Sequence, residues 1–322
     1  MKFIFLPLNS LFLLKSFWSC IELNALFYHY MRNYISLLTV FVLLACQQNS
    51  ESLTTLYALP KKLKETSGII YLPKNNLLWT LEDSGNANAI YGLNFENGAI
   101  EKTVTIENTE NIDWEDITKD KEGNLYIGDF GNNDNTRNDL CIYKIDKNSL
   151  DKESALPAYK ISFAYPEQKE FPPKKSELFY DVEGFFEYRN NFYLFTKNRS
   201  KGFDGTAFLY KVPNSEGFHQ AQLVGEFKTC DNYNHCAITS AAISPDDSKV
   251  VILCHDKIVE FDTFQGDAFL KGKRTDLDLD HFSQKEAVCF KDNDLLIIAD
   301  ERTKKVGGNV YNVSIEKLKS KP

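Results

Sequence analysis

The chain has 322 residues, with 37 Lys+Arg against 45 Asp+Glu for a formal net charge of -8, and it is 43% hydrophobic and 13% aromatic. These proportions exclude a disordered or low-complexity chain, and acidity of this kind repels phosphate backbones, so nucleic acid is not an expected partner. The length allows one large domain or two ordinary ones.

The first element is a leader. Residues 1–45 carry Lys2, Lys15 and Arg32 against Glu22 alone, so the acidity belongs to residues 46–322, whose net charge is -10. Met31-Arg32-Asn33 offers a start and a positive flank. The apolar run from Tyr34 to Leu44 has the length of a signal-peptide core and is short for a membrane span. Residues 1–30 read as an over-extended start and 31–45 as the signal peptide. No later segment has 18 uninterrupted apolar residues.

The run ends in Leu43-Leu44-Ala45-Cys46, followed by the polar stretch Gln47 to Ser52. This resembles the lipobox of bacterial lipoproteins, although Leu44 is bulkier than the usual residue there. The resemblance implies that Cys46 is acylated, that 46–56 is a tether, and that the rest is held at a membrane of the bacterial cell envelope, periplasmic or surface-exposed. Two or more acyl chains give stable anchoring without a span.

From 57 to 318 one pattern recurs five times: a small or acidic residue, a short apolar run, a polar turn and a second apolar run. The copies open at Ser67, Glu115, Glu183, Ser240 and Glu286, and their second runs begin at Leu77, Leu125, Phe192, Val250 and Leu295, nine or ten residues later. Each reads as a β-hairpin with an Asn/Asp/Gly turn. Third strands follow at 89–93, 140–145, 208–212, 257–261 and 309–313, and fourth strands are visible at 158–163 and 222–227. Units 46 to 68 residues apart, without long helices, predict an all-β protein: a β-propeller of five four-stranded blades. Leu53 to Ala58 would supply the last blade's missing strand and close the ring. A sixth blade would have to lie within 146–182, which shows only one clear strand.

Cysteines follow this frame. Cys141, Cys254 and Cys289 sit in apolar runs, where a thiol behaves as a small hydrophobe. Cys230 and Cys236 flank a polar turn, and export permits a disulfide there. Zinc held by Cys230, His235 and Cys236 is the competing reading, and it lacks a fourth ligand.

Glu65 to Ile70 with Leu78 to Asp83, Asp181 to Phe185, and Glu286 to Val288 with Ile298 to Glu301 resemble blades of the SdiA-regulated propeller family. Trp114 to Ile117 with Tyr126 to Asn133 resembles propellers described as esterase-like phytases. The likeness runs from about 60 to 315. It implies a propeller, and these families carry no single reaction.

The candidate site follows from hairpin geometry. The start of strand one lies beside the end of strand two, so repeat-opening residues and those ending the second run share one face around the channel. There we expect Glu115, Asp129, Glu183, Glu286 and Asp300 as metal ligands, with Asp83, Lys197 and His255 contacting a ligand. Clustered carboxylates repel one another, and hard oxygen donors suit Ca²⁺ better than zinc. The alternative is a structural ring of acids capping backbone amides. No Gly-x-Ser-x-Gly elbow or phosphate loop is present, and Ser240, His255 and Asp256 are the one Ser-His-Asp set on offer. The catalytic residues are therefore unassigned. The sequence reads as a lipid-anchored module binding a small molecule or protein, with a calcium-dependent hydrolase of phosphoesters, esters or lactones as the alternative.

Overall fold

The five hairpins are the inner halves of five antiparallel sheets in a computed structural model that describes residues 53–304 and 306–321. The leader and Cys46 lie outside the described residues. Taken from the channel outward, blade 1 is Thr66–Leu72, Leu77–Glu82, Ala89–Asn94 and Ile100–Ile106. Blade 2 is Trp114–Lys119, Leu125–Asp129, Cys141–Ile145 and Tyr159–Ala164. Blade 3 is Asp181–Glu187, Asn191–Lys197, Thr206–Pro213 and Gln222–Lys228. Blade 4 is Ser240–Ile243, Lys249–Leu253, Lys257–Asp262 and Lys273–Asp278. Blade 5 is Lys285–Phe290, Leu295–Asp300 and Asn309–Ser314, completed by Thr54–Ala58 from the start of the described chain, which pairs antiparallel with Asn309–Ser314. The innermost strands pack against one another in sequence order and back to the first, which makes the chain a five-bladed β-propeller.

No sixth blade is present among the described residues. The stretch 146–182 gives blade 2 its outer strand, and its Ser154–Ala155 adds in parallel to the edge of blade 1. Gly217–Gln220 covers the edge of blade 2 in the same way. The closing strand begins at Thr54, within the stretch read as tether, and the described residues form one compact unit. Among the described residues, no helix is long and apolar enough to cross a membrane.

Aromatic residues fill the wedges between blades. Phe130 meets Phe185 edge-on at 5.0 Å between blades 2 and 3, and Phe186 and Tyr193 of blade 3 pack on Phe269 of blade 4. Such edge-to-face pairs add about 0.5–1.5 kcal/mol beyond area burial. Near the axis the problem is reversed, because five backbones converge. A Cβ built on Gly184 would lie 2.3 Å from the Ala241 backbone nitrogen in blade 4. Gly184→Ala should therefore lower stability by about 1–3 kcal/mol, as overpacking does. Urea unfolding that left the midpoint unchanged would show that the two strands can separate freely.

One irregularity recurs at the repeat-opening residue. In blades 1, 2, 3 and 5 the inner hairpin changes register between Thr66 and Gly68, Trp114 and Asp116, Val182 and Gly184, and Lys285 and Ala287. Ser67, Glu115, Glu183 and Glu286 are thus β-bulge residues. A bulge re-aims a side chain that strict alternation would place elsewhere.

Candidate functional site

The bulges carry their side chains to one mouth of the channel. A cavity of about 170 Å³ is lined there by Glu65, Asp83, Glu115, Glu183, Glu286 and Glu301, together with Lys197, Arg199 and polar neighbours including Thr66, Ser67, Asn133 and Gln284. Six carboxylates thus face two cations. Room for the acids exists because blade 2 carries Gly131, where a Cβ would lie 2.3 Å from Glu115 Oε1 and 2.5 Å from the Asp113 carboxyl.

The two sides of the cavity differ in how their charge is met. On the blade 3 side, Arg199 donates to Asp181 at 2.5 Å and to Glu183 at 2.6 Å, and the Lys197 ammonium lies 3.0 Å from the same Glu183 oxygen. Burial alone would lower the pKa of both bases, but the facing carboxylates outweigh it and hold both cations charged. Arg199 also donates to the Tyr233 hydroxyl at 2.9 Å. Tyr233 sits in the short helical turn Tyr233–Cys236, stapled by a Cys230–Cys236 disulfide with Cα atoms 5.5 Å apart. That bond removes both sulfurs from zinc ligation.

On the blade 1–2 side no lysine or arginine among the described residues comes within ion-pairing distance of Asp83, Asp113 or Glu115. One carboxylate oxygen from each lies within 4.8 Å of the others, and Glu115, Asp181 and Glu183 form a second such group. Burial, then the neighbouring Asp83, pushes the Asp113 carboxyl up to about 7. Burial, then Glu183 and Asp83, holds Glu115 well above the usual carboxyl range. At the opposite rim, burial followed by Glu286 and Glu65 pushes Glu301 up to about 7. Thr66 lines the same cavity, and its fully buried hydroxyl has no hydrogen-bond partner among the described residues.

The cavity collects Glu115, Glu183, Glu286, Asp83 and Lys197 from the residues expected at the mouth. Asp129 and Asp300 do not line it. They pair with Trp114 and Lys285, the residues just before each bulge, so they face into the sheet packing. Asp129 accepts from Arg137 at 2.9 Å and from the Asp113 amide at 3.2 Å. Asp300 accepts from the Asn309 amide at 2.7 Å and the Tyr311 hydroxyl at 2.8 Å. Both act as buried caps, as Glu82 does for the Lys64 amide at 2.9 Å. Their successors in the chain, or the corresponding residues of other blades, are those that line the cavity: Asp83, Lys197 and Glu301.

His255 stands behind the lining. Its Nε2 lies 3.6 Å from Glu286, and its Nδ1 lies 2.9 Å from the Asn234 carbonyl. It forms no triad with Ser240 and Asp256. The Ser240 hydroxyl is fully buried in the channel between Asp116 and the Val288 amide, and Asp256 pairs with His235. Arg199 carried no sequence signal, since it lies in a loop two residues beyond a strand end. The bulges likewise leave no trace in residue type alone.

No protein-family model matches the chain, and no curated protein does. Solved structures do. A PQQ-bound aldose sugar dehydrogenase from Streptomyces coelicolor superposes with a TM-score of 0.50 at 11% identity, over 82% of this chain and 98% of that one. A gluconolactonase from Xanthomonas campestris gives 0.43 at 11% identity over 81% and 89%. Virginiamycin B lyase from Staphylococcus aureus with quinupristin gives 0.39 at 14% identity over 78% and 66%. At these identities the likeness is one of fold. It is to β-propellers in general and does not single out the SdiA-regulated or phytase-like families.

Proposed function

We propose that the chain is a ligand-binding propeller, exported and lipid-anchored through Cys46, whose acidic channel mouth takes up a hard divalent cation, with calcium the candidate. The observation that carries this reading is the group Asp83, Asp113 and Glu115, three converging carboxylates with no lysine or arginine within ion-pairing distance among the described residues. Carboxylate oxygens are the donors calcium prefers. Lys197 and Arg199 stand across the same small cavity. A ligand bearing an anionic group could therefore bridge the ion and the two bases. A second reading, hydrolysis of an ester, lactone or phosphoester, rests on Asp113, whose pKa of about 7 suits general acid-base work.

Thermal melting with saturating calcium, compared with chelator, should raise the Tm of the parent by several degrees, as binding to the folded state alone requires. In Glu115→Gln the gain should vanish. No gain in the parent would overturn the cation site. Turnover on a panel of esters, lactones and phosphomonoesters that is lost in Asp113→Asn would establish the hydrolase reading, and an inert panel leaves the binding module.

A further inference from the structure

The innermost strands that begin at the acidic mouth end at the opposite one, where a second and larger cavity of about 580 Å³ opens. That volume lies within the ~300–1,000 Å³ of sites that enclose small organic ligands. Its floor is apolar, built of Ile70, Ile117, Phe186, Ala242, Val288 and Phe290 from all five blades. Asp116 and Ser240, buried between the blades, separate this floor from the acidic mouth.

Two features of the rim point to a ligand. Lys119 ends the innermost strand of blade 2 and lines the cavity, and its ammonium donates to the Tyr71 carbonyl at 2.8 Å. No carboxylate lies within ion-pairing distance of it among the described residues, and burial already draws its pKa down. Of the other charged groups of the rim, Asp151 lies 3.1 Å from Lys102, Asp120 accepts from Asn124 and Tyr126, Lys147 donates to the Glu122 carbonyl at 3.1 Å and Glu187 accepts from the Asn190 amide, while Lys74 and Glu122 form no ion pair among the described residues. Lys121 reaches across the opening from blade 2 to blade 4, donating to the Pro245 carbonyl at 2.7 Å and to Asp247 at 2.6 Å. That strap is exposed, and exposed ion pairs contribute only about 0–1 kcal/mol, so it opens cheaply.

We infer that this second mouth binds a small amphipathic organic anion, its apolar body on the channel floor and its carboxylate or sulfonate on Lys119. The site is separate from the acidic mouth and does not rest on the function proposed for it.

The test uses 1-anilinonaphthalene-8-sulfonate as a fluorescent probe on the folded protein, displaced by decanoate or decanol. Saturable one-site binding is expected, with decanoate displacing the probe about tenfold more strongly than decanol, the effect of one charge-assisted hydrogen bond. Lys119→Met should weaken probe binding about tenfold and Lys119→Arg restore much of it. Lys174→Met, on a distant surface loop, should bind as the parent does. Absence of saturable binding, equal displacement by the two competitors, or unchanged binding in Lys119→Met would each overturn the proposal. If Lys119→Met does not fold, the competitor ratio measured on the parent decides alone.

Discussion

Replacing Arg199 with leucine is expected to destabilise the propeller by about 3 kcal/mol and to lower its Tm by roughly 5–10 °C at neutral pH. The reason is what the substitution leaves behind. Asp181 is fully buried and Glu183 nearly so, and among the described residues Arg199 is the one base that contacts both. Without it Asp181 keeps only the Asn132 amide, 2.7 Å away, and an unpaired buried carboxylate is costly. The estimate is at the low end for a buried pair because the guanidinium is 23% exposed. Arg199→Lys should recover only part of the loss, since an ammonium cannot span two carboxylates as the planar fork does. Adding Asp181→Asn to Arg199→Leu should restore stability by removing the orphaned charge, a coupling that a double-mutant cycle reads directly. An unchanged Tm in Arg199→Leu would mean that Lys197 alone neutralises this side of the mouth.

The same residue shows where sequence reasoning stops. Alternating apolar runs and Asn/Asp turns reveal the inner two strands of each blade, because those strands are buried by neighbours on both sides. The outer strands Ile100–Ile106 and Lys273–Asp278 are not legible in the sequence because charged and polar residues interrupt them and no apolar run marks them. Strand ends gave the correct face for the site but an offset of one position for two of its acids. The period of a strand is two, so the single extra residue of a bulge exchanges the face toward the cavity with the face toward the sheet. Asp129 and Asp300 therefore became caps, while Glu301 and Asp83 reached the mouth. Arg199 was invisible for another reason: its place is set by loop geometry and by Tyr233 on a disulfide-bonded turn, not by any repeat.

In chelator, the Tm should fall by several degrees as pH rises from 5 to 8. Burial, then Asp83, raises Asp113 from 3.8 to about 7, and burial, then Glu286 and Glu65, raises Glu301 from 4.5 to about 7. The unfolded chain loses these protons near pH 4. Between about pH 4 and 7 the folded state thus binds more protons than the unfolded state, and stability decreases with pH. The contribution is complete below pH 4 and lost above about pH 7. Acids of the opposite kind do not confuse this window. Asp204, drawn down to about 2 chiefly by its hydrogen bond from Lys228, contributes stability above pH 4 that is lost only in stronger acid. Calcium should act against the trend, because it requires the ionised carboxylates that protons occupy. Its stabilisation should be small at pH 5 and reach several degrees at pH 8, largely reversing the fall. A Tm that is flat or rising across this range in chelator would show that the mouth holds no excess of protons. A fall that calcium leaves untouched would make protons, rather than a metal, the counter-ions of the acidic mouth.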